Sequence, residues 1–320
     1  MEKLRVGVIG LGSIFHRVMK GFGRAENCVL YAVAARDAAR ARAEAEKYGA
    51  IKAFGSYEEL AECPDVDLVY IATPHNFHRE QTLMCLEKGK HVLCEKAFAM
   101  NGTEAREMAE MARDKGIFLM EAMWTRFLPA IKQLKVMYEA GELGRIRHIA
   151  ADFAYASKYD PESRIYAPAM GGGALMDVGI YPLSICEYIL GAHHSMQVNC
   201  VKTPSGVDAR TAMQLGFADG ATAQLMSGID VNGTSVMTIY ADKANVVVPD
   251  FWHATQLIVN GNMIQFPEEN EGHHHQFVHA AEMIAAGRTE SDVMPLDETI
   301  RLMDVMTDAR HENGIFYPGE

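Results

Sequence analysis

The two halves of the chain differ in the pattern of their hydrophobic positions. Up to residue 121, short apolar runs without polar alternation are separated by segments with helical spacing. Such runs are typical of parallel strands that are buried on both faces. They cover residues 4–9, 29–34, 51–54, 68–72, 91–94 and 117–120. Six strands alternating with helices predict an α/β domain over residues 1–121, with a doubly wound parallel sheet of the Rossmann type.

Residues 122–320 follow a different pattern. Helical spacing occurs at about 127–140, 175–190, 276–286 and 296–313, whereas residues 195–266 are rich in β-forming segments, and a further strand is predicted at 145–157. Asp219-Gly220, Asn232-Gly233 and Asn260-Gly261 separate apolar segments, and Asp-Gly and Asn-Gly pairs in this setting indicate hairpin turns. We therefore predict a second, α+β domain over residues 122–320, with a large and mostly antiparallel open sheet.

The composition narrows the class of protein. The chain has 30 Lys+Arg against 42 Asp+Glu, a formal net charge of −12, which disfavours a nucleic-acid partner because phosphate binding needs a cationic face. We see no apolar run of bilayer-spanning length and no signal-peptide pattern, so no membrane partner is expected. The six cysteines lack metal-ligand spacing and are typical of reduced thiols. The expectation is a cytoplasmic enzyme or binding protein.

The first predicted strand leads into a glycine-rich turn. Gly10 and Gly12, followed by Ser13 and Ile14, allow a tight turn and let a pyrophosphate approach backbone amides where a helix begins. Phe15 stands where the third glycine of the GxGxxG motif is usual, and we expect it to push helix and strand apart or to tilt its ring aside. Because the turn opens the first βαβ unit, these five residues predict a dinucleotide site.

The end of the second predicted strand favours NADP(H) over NAD(H). Arg36 offers a planar cationic fork to a 2′-phosphate, and Arg40, one helical turn later, can close from the other side. NAD(H) stays an alternative cofactor because of Asp37, whose carboxylate could accept hydrogen bonds from ribose hydroxyls. A further alternative is that both arginines belong to a solvated helix face.

Two other predicted strands end in unusual polar residues. The fourth is followed by Thr73, Pro74 and His75, and the fifth by Glu95 and Lys96. The carboxyl ends of strands in an open α/β sheet face the crevice where ligands bind, so we predict that these residues contact the cofactor. The alternatives are a helix entry capped by Asn76 and a structural ion pair between Glu95 and Lys96.

In their order along the chain, these motifs resemble the glucose–fructose oxidoreductase/inositol dehydrogenase (Gfo/Idh/MocA) family, and the resemblance covers essentially the whole chain. It also rests on residues 121–127 (EAMWTRF), 171–181 (GGGALMDVGIY) and 317–320 (YPGE). The most similar branch contains dihydrodiol and xylose dehydrogenases. The resemblance implies an oxidoreductase that transfers hydride between NADP(H) and a secondary alcohol or ketone of a small sugar or cyclic vicinal diol.

The resemblance also implies roles for individual residues. Lys96 matches the lysine of the family's Glu-Lys-Pro motif, and Asp177 and Tyr181 match its Asp-x-x-x-His/Tyr pair, whose spacing puts both side chains on one helix face. Tyr181 is the expected acid/base, and the positive charge of Lys96 would favour its phenolate form. Glu95 is expected to orient Lys96, and Asp177 to hold a substrate hydroxyl or to keep Lys96 charged.

Trp124, Arg126 and Phe127 are expected from the resemblance to line the substrate, with packing of Trp124 in the core as the alternative. The polar loop 158–164 offers further hydroxyl partners. The family's open C-terminal sheet implies a homodimer or higher homo-oligomer. One departure is Ala97 in place of the usual proline. A cis bond before a non-proline residue costs about 3 kcal/mol, so Lys96 is expected to sit slightly differently.

Three further readings complete the expectations. The histidines at 273–275 and 279 lack the glutamate of a zinc-protease helix, so we predict no metal. A non-catalytic dinucleotide-binding regulator of the same fold stays open, although the presence of Lys96 and Tyr181 argues against it. A redox-assisted, NAD-dependent glycosidase also stays open, and Arg36 argues against that.

Overall fold

The computed structural model describes residues 3–268 and 270–320. The chain forms two compact units, one of Met1–Trp124 and Glu269–Met303, the other of Thr125–Glu268 and Asp304–Glu320. The domain boundaries 1–121 and 122–320 stay a prediction. The two units differ from these predicted domains because residues 269–303 return to the first unit. There the ring of Phe277 meets the rings of Phe22 and Tyr70 edge-on at 5.1 Å.

The first unit is a parallel sheet with helices between its strands, and the predicted doubly wound fold is confirmed. Its strands are β1 (Leu4–Ile9), β2 (Cys28–Ala34), β3 (Lys52–Phe54), β4 (Leu68–Ile71), β5 (His91–Glu95) and β6 (Leu119–Ala122). Its helices are α1 (Ser13–Met19), α2 (Ala38–Tyr48), α3 (Tyr57–Glu62), α4 (His78–Glu87) and α5 (Gly102–Lys115). The strand order is β3-β2-β1-β4-β5-β6, so the direction of winding reverses between β1 and β4.

Helix α5 illustrates how the sequence specifies these elements. Asn101 caps it, since its side chain accepts a hydrogen bond from the Glu104 amide at 3.0 Å. Its buried residues are Ala105, Met108, Ala109 and Ala112, the three- and four-residue spacing of a helix with one apolar face. With this face buried, α5 packs against α4.

The second unit contains the large, mostly antiparallel sheet that the sequence predicts. Its helices are α6 (Pro129–Glu139) and α7 (Ile180–Leu190). Its strands are β7 (Ile146–Ala154), β8 (Ser195–Lys202), β9 (Asp208–Gly216), β10 (Thr222–Gly228), β11 (Met237–Ala241), β12 (Val246–Val248), β13 (Gln256–Val259) and β14 (Asn262–Gln265). Their order is β14-β13-β12-β11-β7-β10-β9-β8, with the β7–β10 pair parallel and the other pairs antiparallel. Helix α7 packs on β7 and β10. Helix α8 (His274–Ala285) belongs to the first unit, and α9 (Leu296–Glu312) begins in the first unit and ends in the second.

Two of the three predicted hairpins are confirmed. Asp219-Gly220 lies between β9 and β10, and Asn260-Gly261, with φ of 48° and 83°, turns β13 into β14. The hairpin predicted at Asn232-Gly233 is wrong, because β10 and β11 lie on opposite sides of β7. Asn232 instead accepts a hydrogen bond from the Ala156 amide at 2.8 Å.

The helix predicted at 175–190 begins with a π-helical turn, Leu175–Gly179, and continues as α7. In the described part of the chain, one helical stretch, Pro168–Leu190, has the length and the apolar composition needed to cross a membrane. Its mean hydropathy is 1.2. This corrects the expectation that no run reaches such a length. Since 89% of its apolar window is buried inside the fold, it has the character of a core helix.

Candidate active site

The strand ends predicted to hold a cofactor lie side by side in the first unit. Ile71 of β4 is in register with Ile9 of β1 and with Cys94 of β5. The glycine turn, the segment 73–75 and the pair Glu95-Lys96 therefore share one edge of the sheet, where the strand order reverses. This is the place at which open α/β sheets bind ligands.

The two glycines of the turn have different surroundings. Gly10 has φ of +91°, and a Cβ there would lie 2.8 Å from atoms of Ala72 and Thr73. A Cβ at Gly12 would meet nothing within 4 Å. Ser13, exposed, and Ile14, half-buried, form the first turn of α1. The open space at Gly12, beside backbone amides, fits the pyrophosphate of a dinucleotide.

Phe15 is accommodated by turning its ring aside, which is the second of the two expectations. The side chain is fully buried, and its ring meets that of Tyr48 on α2 edge-on at 5.2 Å. The ring thus packs between α1 and α2. It takes no space on the Gly12 side of the turn.

The end of β2 places two arginines near the turn and uses the neighbouring acid as a helix cap. The Asp37 carboxylate accepts from the amides of Ala39, at 2.8 Å, and Arg40, at 3.3 Å. The guanidinium of Arg40 donates to the carbonyl of Leu11, inside the glycine turn. Arg36 is exposed. Both capping bonds go to Oδ1, so the helix cap takes up one of the two oxygens of the Asp37 carboxylate.

Glu95 fixes the backbone at Lys96. It is 4% exposed; its Oε1 accepts from the Tyr70 hydroxyl at 2.5 Å and its Oε2 from the Lys96 amide at 3.2 Å. The Lys96–Ala97 peptide bond is cis, which corrects the expectation drawn from the missing proline. The Ala97 amide donates to His75 Nε2 at 3.3 Å, so the His75 side chain contacts this peptide.

His78 ties the ends of β4 and β5 together. It is fully buried; Nε2 lies 2.8 Å from the Thr73 carbonyl and Nδ1 3.0 Å from the Ala97 carbonyl. Burial lowers the pKa of His78. The expected cap by Asn76 is absent, because α4 begins at His78 after a short 3₁₀ turn and has no side-chain cap. Pro74 precedes that turn.

In the second unit, Asp177 lies in the π-helical turn and is 5% exposed. Its Oδ1 accepts from Arg164 Nη1 at 2.9 Å and its Oδ2 from the Tyr155 hydroxyl at 2.6 Å. Burial and the charge of Asp177 raise the pKa of Tyr155, so that hydroxyl stays a donor. Burial works against the charge of Arg164, but Asp177 outweighs it and raises the Arg164 pKa. The carboxylate is thus held by two donors.

Tyr181 follows one helical turn after Asp177 and is 6% exposed. Its ring meets the Phe153 ring edge-on at 5.3 Å, and Phe153 stacks on Trp252 at 5.1 Å with 13° between the planes. Tyr181, Phe153 and Trp252 therefore form a row of three rings, in which Phe153 lies between the other two. π-Helical turns such as the one before Tyr181 occur frequently at functional sites.

The three residues expected to line the substrate are buried. Trp124 is 2% exposed and stacks on His273 at 4.0 Å, and Phe127 is 1% exposed. Arg126 is fully buried, with Nε 2.9 Å from Ser184 Oγ and Nη2 2.9 Å from the Ser184 carbonyl. These bonds give Arg126 a role in holding α7, which differs from the substrate contact expected of it.

Sequence reasoning missed Tyr155, Phe153 and Trp252, and it noticed Arg164 only as part of a polar loop. A signal for the first two was available, since residues two apart on a strand share a face. Phe153 lies near the end of β7 and Tyr155 directly follows the strand, so the two have that spacing. No comparable signal marks Trp252, which comes near through the course of the chain after β12.

Comparisons with known proteins agree with this architecture. Residues 4–123 match the GFO_IDH_MocA model, described as an oxidoreductase family with an NAD-binding Rossmann fold, and residues 131–247 match the GFO/IDH/MocA C-terminal domain. The chain is 35% identical over 330 residues to trans-1,2-dihydrobenzene-1,2-diol dehydrogenase of Mus musculus, covering 98% of each chain.

Two solved structures have the same fold over nearly the whole chain. An aldose-aldose oxidoreductase from Caulobacter crescentus, complexed with glycerol, has a TM-score of 0.86 and 26% identity, covering 97% of this chain and 98% of that one. A 3-ketoreductase from Actinomadura kijaniata, in complex with TDP-benzene and NADP, has a TM-score of 0.81 and 26% identity, covering 96% of each.

Proposed function

Because the chain belongs to the GFO/IDH/MocA oxidoreductase family, and is an NAD(P)-binding dehydrogenase that acts on CH–OH groups, we propose an NADP(H)-dependent reaction on a small sugar or cyclic vicinal diol. A secondary alcohol of that substrate is oxidised, or the corresponding ketone reduced. The observation that carries the proposal is the similarity, over 98% of both chains, to a protein named as a dehydrogenase of such a diol.

We assign the acid–base role to Tyr181, assisted by Lys96. A positioned side chain that moves a proton accelerates such reactions by about 10² to 10⁴. The ammonium of Lys96 would favour the phenolate form in the oxidative direction and polarise the carbonyl oxygen in the reductive one. The bonds from Asp177 to Arg164 and Tyr155 support a role of Asp177 in holding a substrate hydroxyl beside Tyr181.

For the cofactor we propose NADP(H), with Gly10 and Gly12 beside its pyrophosphate and Arg36 and Arg40 at its 2′-phosphate. The capping bonds of Asp37 support this preference, because they tie one oxygen of the carboxylate, Oδ1, to the first turn of α2 and leave only Oδ2 for ribose hydroxyls. The cofactor supplies the redox chemistry when bound. The protein binds and orients it through the turn, the segment 73–75 and Glu95-Lys96.

For the substrate we propose a ring-shaped or short polyol. The ring of Phe153, next to Tyr181, and the ring of Trp252, stacked on Phe153, offer apolar surface for a sugar or diol ring. Trp124 and Phe127 stay proposed substrate-binding residues. The names of the relatives support the class, since they refer to a diol and to aldoses.

The test is an absorbance screen at the NADPH band, with both cofactors, against pentoses, hexoses, osones and cyclic diols. We expect turnover of at least one sugar or diol, with NADP(H) preferred. Tight NADPH binding without turnover of any member would indicate the non-catalytic regulator. Tightly retained NAD with glycoside cleavage and no net cofactor consumption would indicate the glycosidase.

We further propose a homodimer or higher homo-oligomer that forms through the outer face of the second unit's sheet. Gln197 of β8, Gln214 of β9 and Gln224 of β10 are exposed and in register, so they form one row across three strands. Side-chain amides are both donors and acceptors, so such a row is complementary to a second copy of itself. Light scattering after gel filtration should give a dimer or larger assembly.

In the same measurement, Gln214→Arg should shift the protein towards monomer, because like charges would meet across a two-fold axis. Gln133→Arg on α6 is the matched control and should leave the mass unchanged. A monomeric wild-type protein would contradict the proposal.

We also propose that the enzyme works in the cytoplasm. All six cysteines are free, and five of them are buried. Thiols in this state are typical of a reducing compartment. Cell fractionation with an antibody against the protein tests this location.

A further inference from the structure

We propose that Arg164 is a substrate-recognition residue, whose guanidinium, anchored on Asp177, donates hydrogen bonds to the oxygen next to the reacting carbon. The inference rests on the proposed function and deepens it. It assigns to one side chain the preference for a vicinal oxygen pattern, a diol or an α-hydroxy ketone, over an isolated alcohol.

The backbone around Arg164 is held firmly, although residues 156–167 contain no strand or helix. The two following residues are buried, Ile165 with 8% and Tyr166 with 1% exposure. The Gly173 amide donates to the Ile165 carbonyl at 2.9 Å, and a Cβ at Gly172 would lie 2.9 Å from the Arg164 carbonyl oxygen. Close packing against these glycines therefore fixes the point from which the Arg164 side chain leaves the loop.

The guanidinium is fixed at one end and accessible at the other. Its Nη1 donates to Asp177 Oδ1 at 2.9 Å, and among the described residues this is the hydrogen bond that the group makes. The Asp177 side chain is 7% exposed, whereas that of Arg164 is 49% exposed. A guanidinium carries five N–H donors in a rigid fork, so those on Nε and Nη2 are available for a ligand.

The location connects this donor fork to the reaction. Asp177 precedes Tyr181 by one helical turn, so the group that anchors Arg164 belongs to the same helical segment as the candidate acid/base. In the proposed arrangement, a substrate whose reacting oxygen meets Tyr181 turns a neighbouring oxygen towards this segment. Two adjacent oxygens suit the spacing of the fork better than one.

The charge of the pair selects among oxygen ligands. Arg164 and Asp177 form an ion pair at 2.9 Å, and together they are neutral. A neutral pair attracts a carboxylate only weakly. The guanidinium nevertheless keeps its N–H groups, which can donate directional hydrogen bonds to a hydroxyl oxygen. The expected ligand of the Arg164 guanidinium is therefore a neutral hydroxyl or carbonyl oxygen. The experiment below distinguishes it from an anionic substrate group.

The test measures steady-state kinetics of wild type, Arg164→Met and Arg164→Lys on trans-1,2-cyclohexanediol, cyclohexanol and lactate. For Arg164→Met we expect KM for the diol to rise at least tenfold with kcat within threefold, because binding common to ground and transition state is lost. For cyclohexanol, kcat/KM should change by less than threefold. Arg164→Lys keeps the charge but not the fork, and should raise KM for the diol at least fivefold.

Folding and a generic effect of losing an arginine are controlled separately. Arg164→Met leaves the buried Asp177 carboxylate with one donor fewer, so its melting temperature should fall by roughly 2–8 °C, while the NADPH dissociation constant should be unchanged in both variants. Arg147→Met removes a comparable ion-paired arginine, whose Nε lies 2.7 Å from Asp242, and should leave KM for the diol unchanged.

Other results would contradict the recognition role of Arg164 or the function on which it rests. An equal loss of kcat/KM on the diol and on cyclohexanol, or a large fall in kcat, would mean that Arg164 only holds Asp177 in position. A larger effect on lactate would mean an anion site. A wild-type enzyme that turns over neither the diol nor any sugar would overturn the proposed function and the inference with it, whereas an active wild type with an unaltered Arg164→Met overturns the inference alone.

Discussion

The hydroxyl of Tyr70 donates a hydrogen bond to Glu95 Oε1 over 2.5 Å, between a fully buried tyrosine on β4 and a carboxylate at the end of β5. The other oxygen of Glu95 accepts from the amide of Lys96. A buried pair thus connects the interior of the sheet to the backbone of the candidate catalytic lysine. Its removal should be felt in stability and in turnover.

Tyr70→Phe keeps the ring packed on Phe277 but leaves the buried carboxylate with one donor fewer. We expect the free energy of unfolding in urea to fall by about 1–3 kcal/mol, because a buried carboxylate oxygen loses its hydrogen-bond partner away from water. Tyr31→Phe is the control, since its hydroxyl bonds to Asp65, which is 40% exposed. That loss should stay below about 1 kcal/mol. Equal losses in both variants would contradict the assigned role of Glu95.

Gly10 and Gly12 should respond to alanine in opposite ways. Gly10→Ala puts a Cβ 2.8 Å from backbone atoms at a φ of +91°, so we expect a stability loss of about 2 kcal/mol or more. Gly12→Ala meets no protein atom within 4 Å and should unfold at nearly the wild-type urea concentration. Its NADPH affinity, measured by fluorescence, should nevertheless fall at least tenfold. Unchanged affinity would show that the pyrophosphate does not approach Gly12.

Tyr181→Phe removes the proposed proton donor and acceptor without changing the packing of the ring. We expect kcat on the best substrate of the screen to fall by about 10² to 10⁴, with NADPH affinity within twofold of wild type. Tyr188→Phe, on the same helix, is the matched control and should keep kcat within threefold. Survival of full turnover in Tyr181→Phe would remove the acid–base assignment.

The two residues that follow Ala35 should separate cofactor choice from helix capping. Arg36→Ala should weaken NADPH binding at least tenfold and leave NADH binding unchanged, because the 2′-phosphate loses a cation. Asp37→Ala should cost about 1 kcal/mol of stability through the lost cap, with the ratio of the two affinities unchanged. Titrations of both cofactors measure this. A fall in NADH affinity in Asp37→Ala would indicate ribose binding instead.

Glu320 should give the protein an acid-sensitive contribution to stability. Burial acts to raise the pKa of Glu320, but two bonds from Arg310, each 2.9 Å, help to lower it from 4.5 to about 2. A lowered pKa means that the contribution is complete above pH 4.5 and disappears as the pH falls towards 2. Glu320→Gln should lose about 2 kcal/mol at pH 7 and lose less further stability over that range. Urea unfolding at a series of pH values, with the exposed Glu312→Gln as control, measures it.

Much of the fold was readable from local pattern. The six strands of the first unit were placed to within one or two residues, because continuous apolar runs bounded by helical spacing allow few other structures. Asn260-Gly261 was placed as a hairpin for a local reason as well, since both residues take positive φ. Asn232-Gly233 failed because the pairing of β10 and β11 with β7 is a contact between distant strands.

For the candidate site, the sequence by itself determined which residue types follow which strands, and it placed Asp177 and Tyr181 one turn apart on one helical segment. Only the tertiary structure decided what those side chains contact: Asp37 caps a helix, Arg126 is buried against Ser184, and Arg164 reaches Asp177. The reason is physical. Periodicity and turn preferences act over a few residues, whereas a hydrogen-bond partner is chosen by whatever the completed fold brings within about 3 Å.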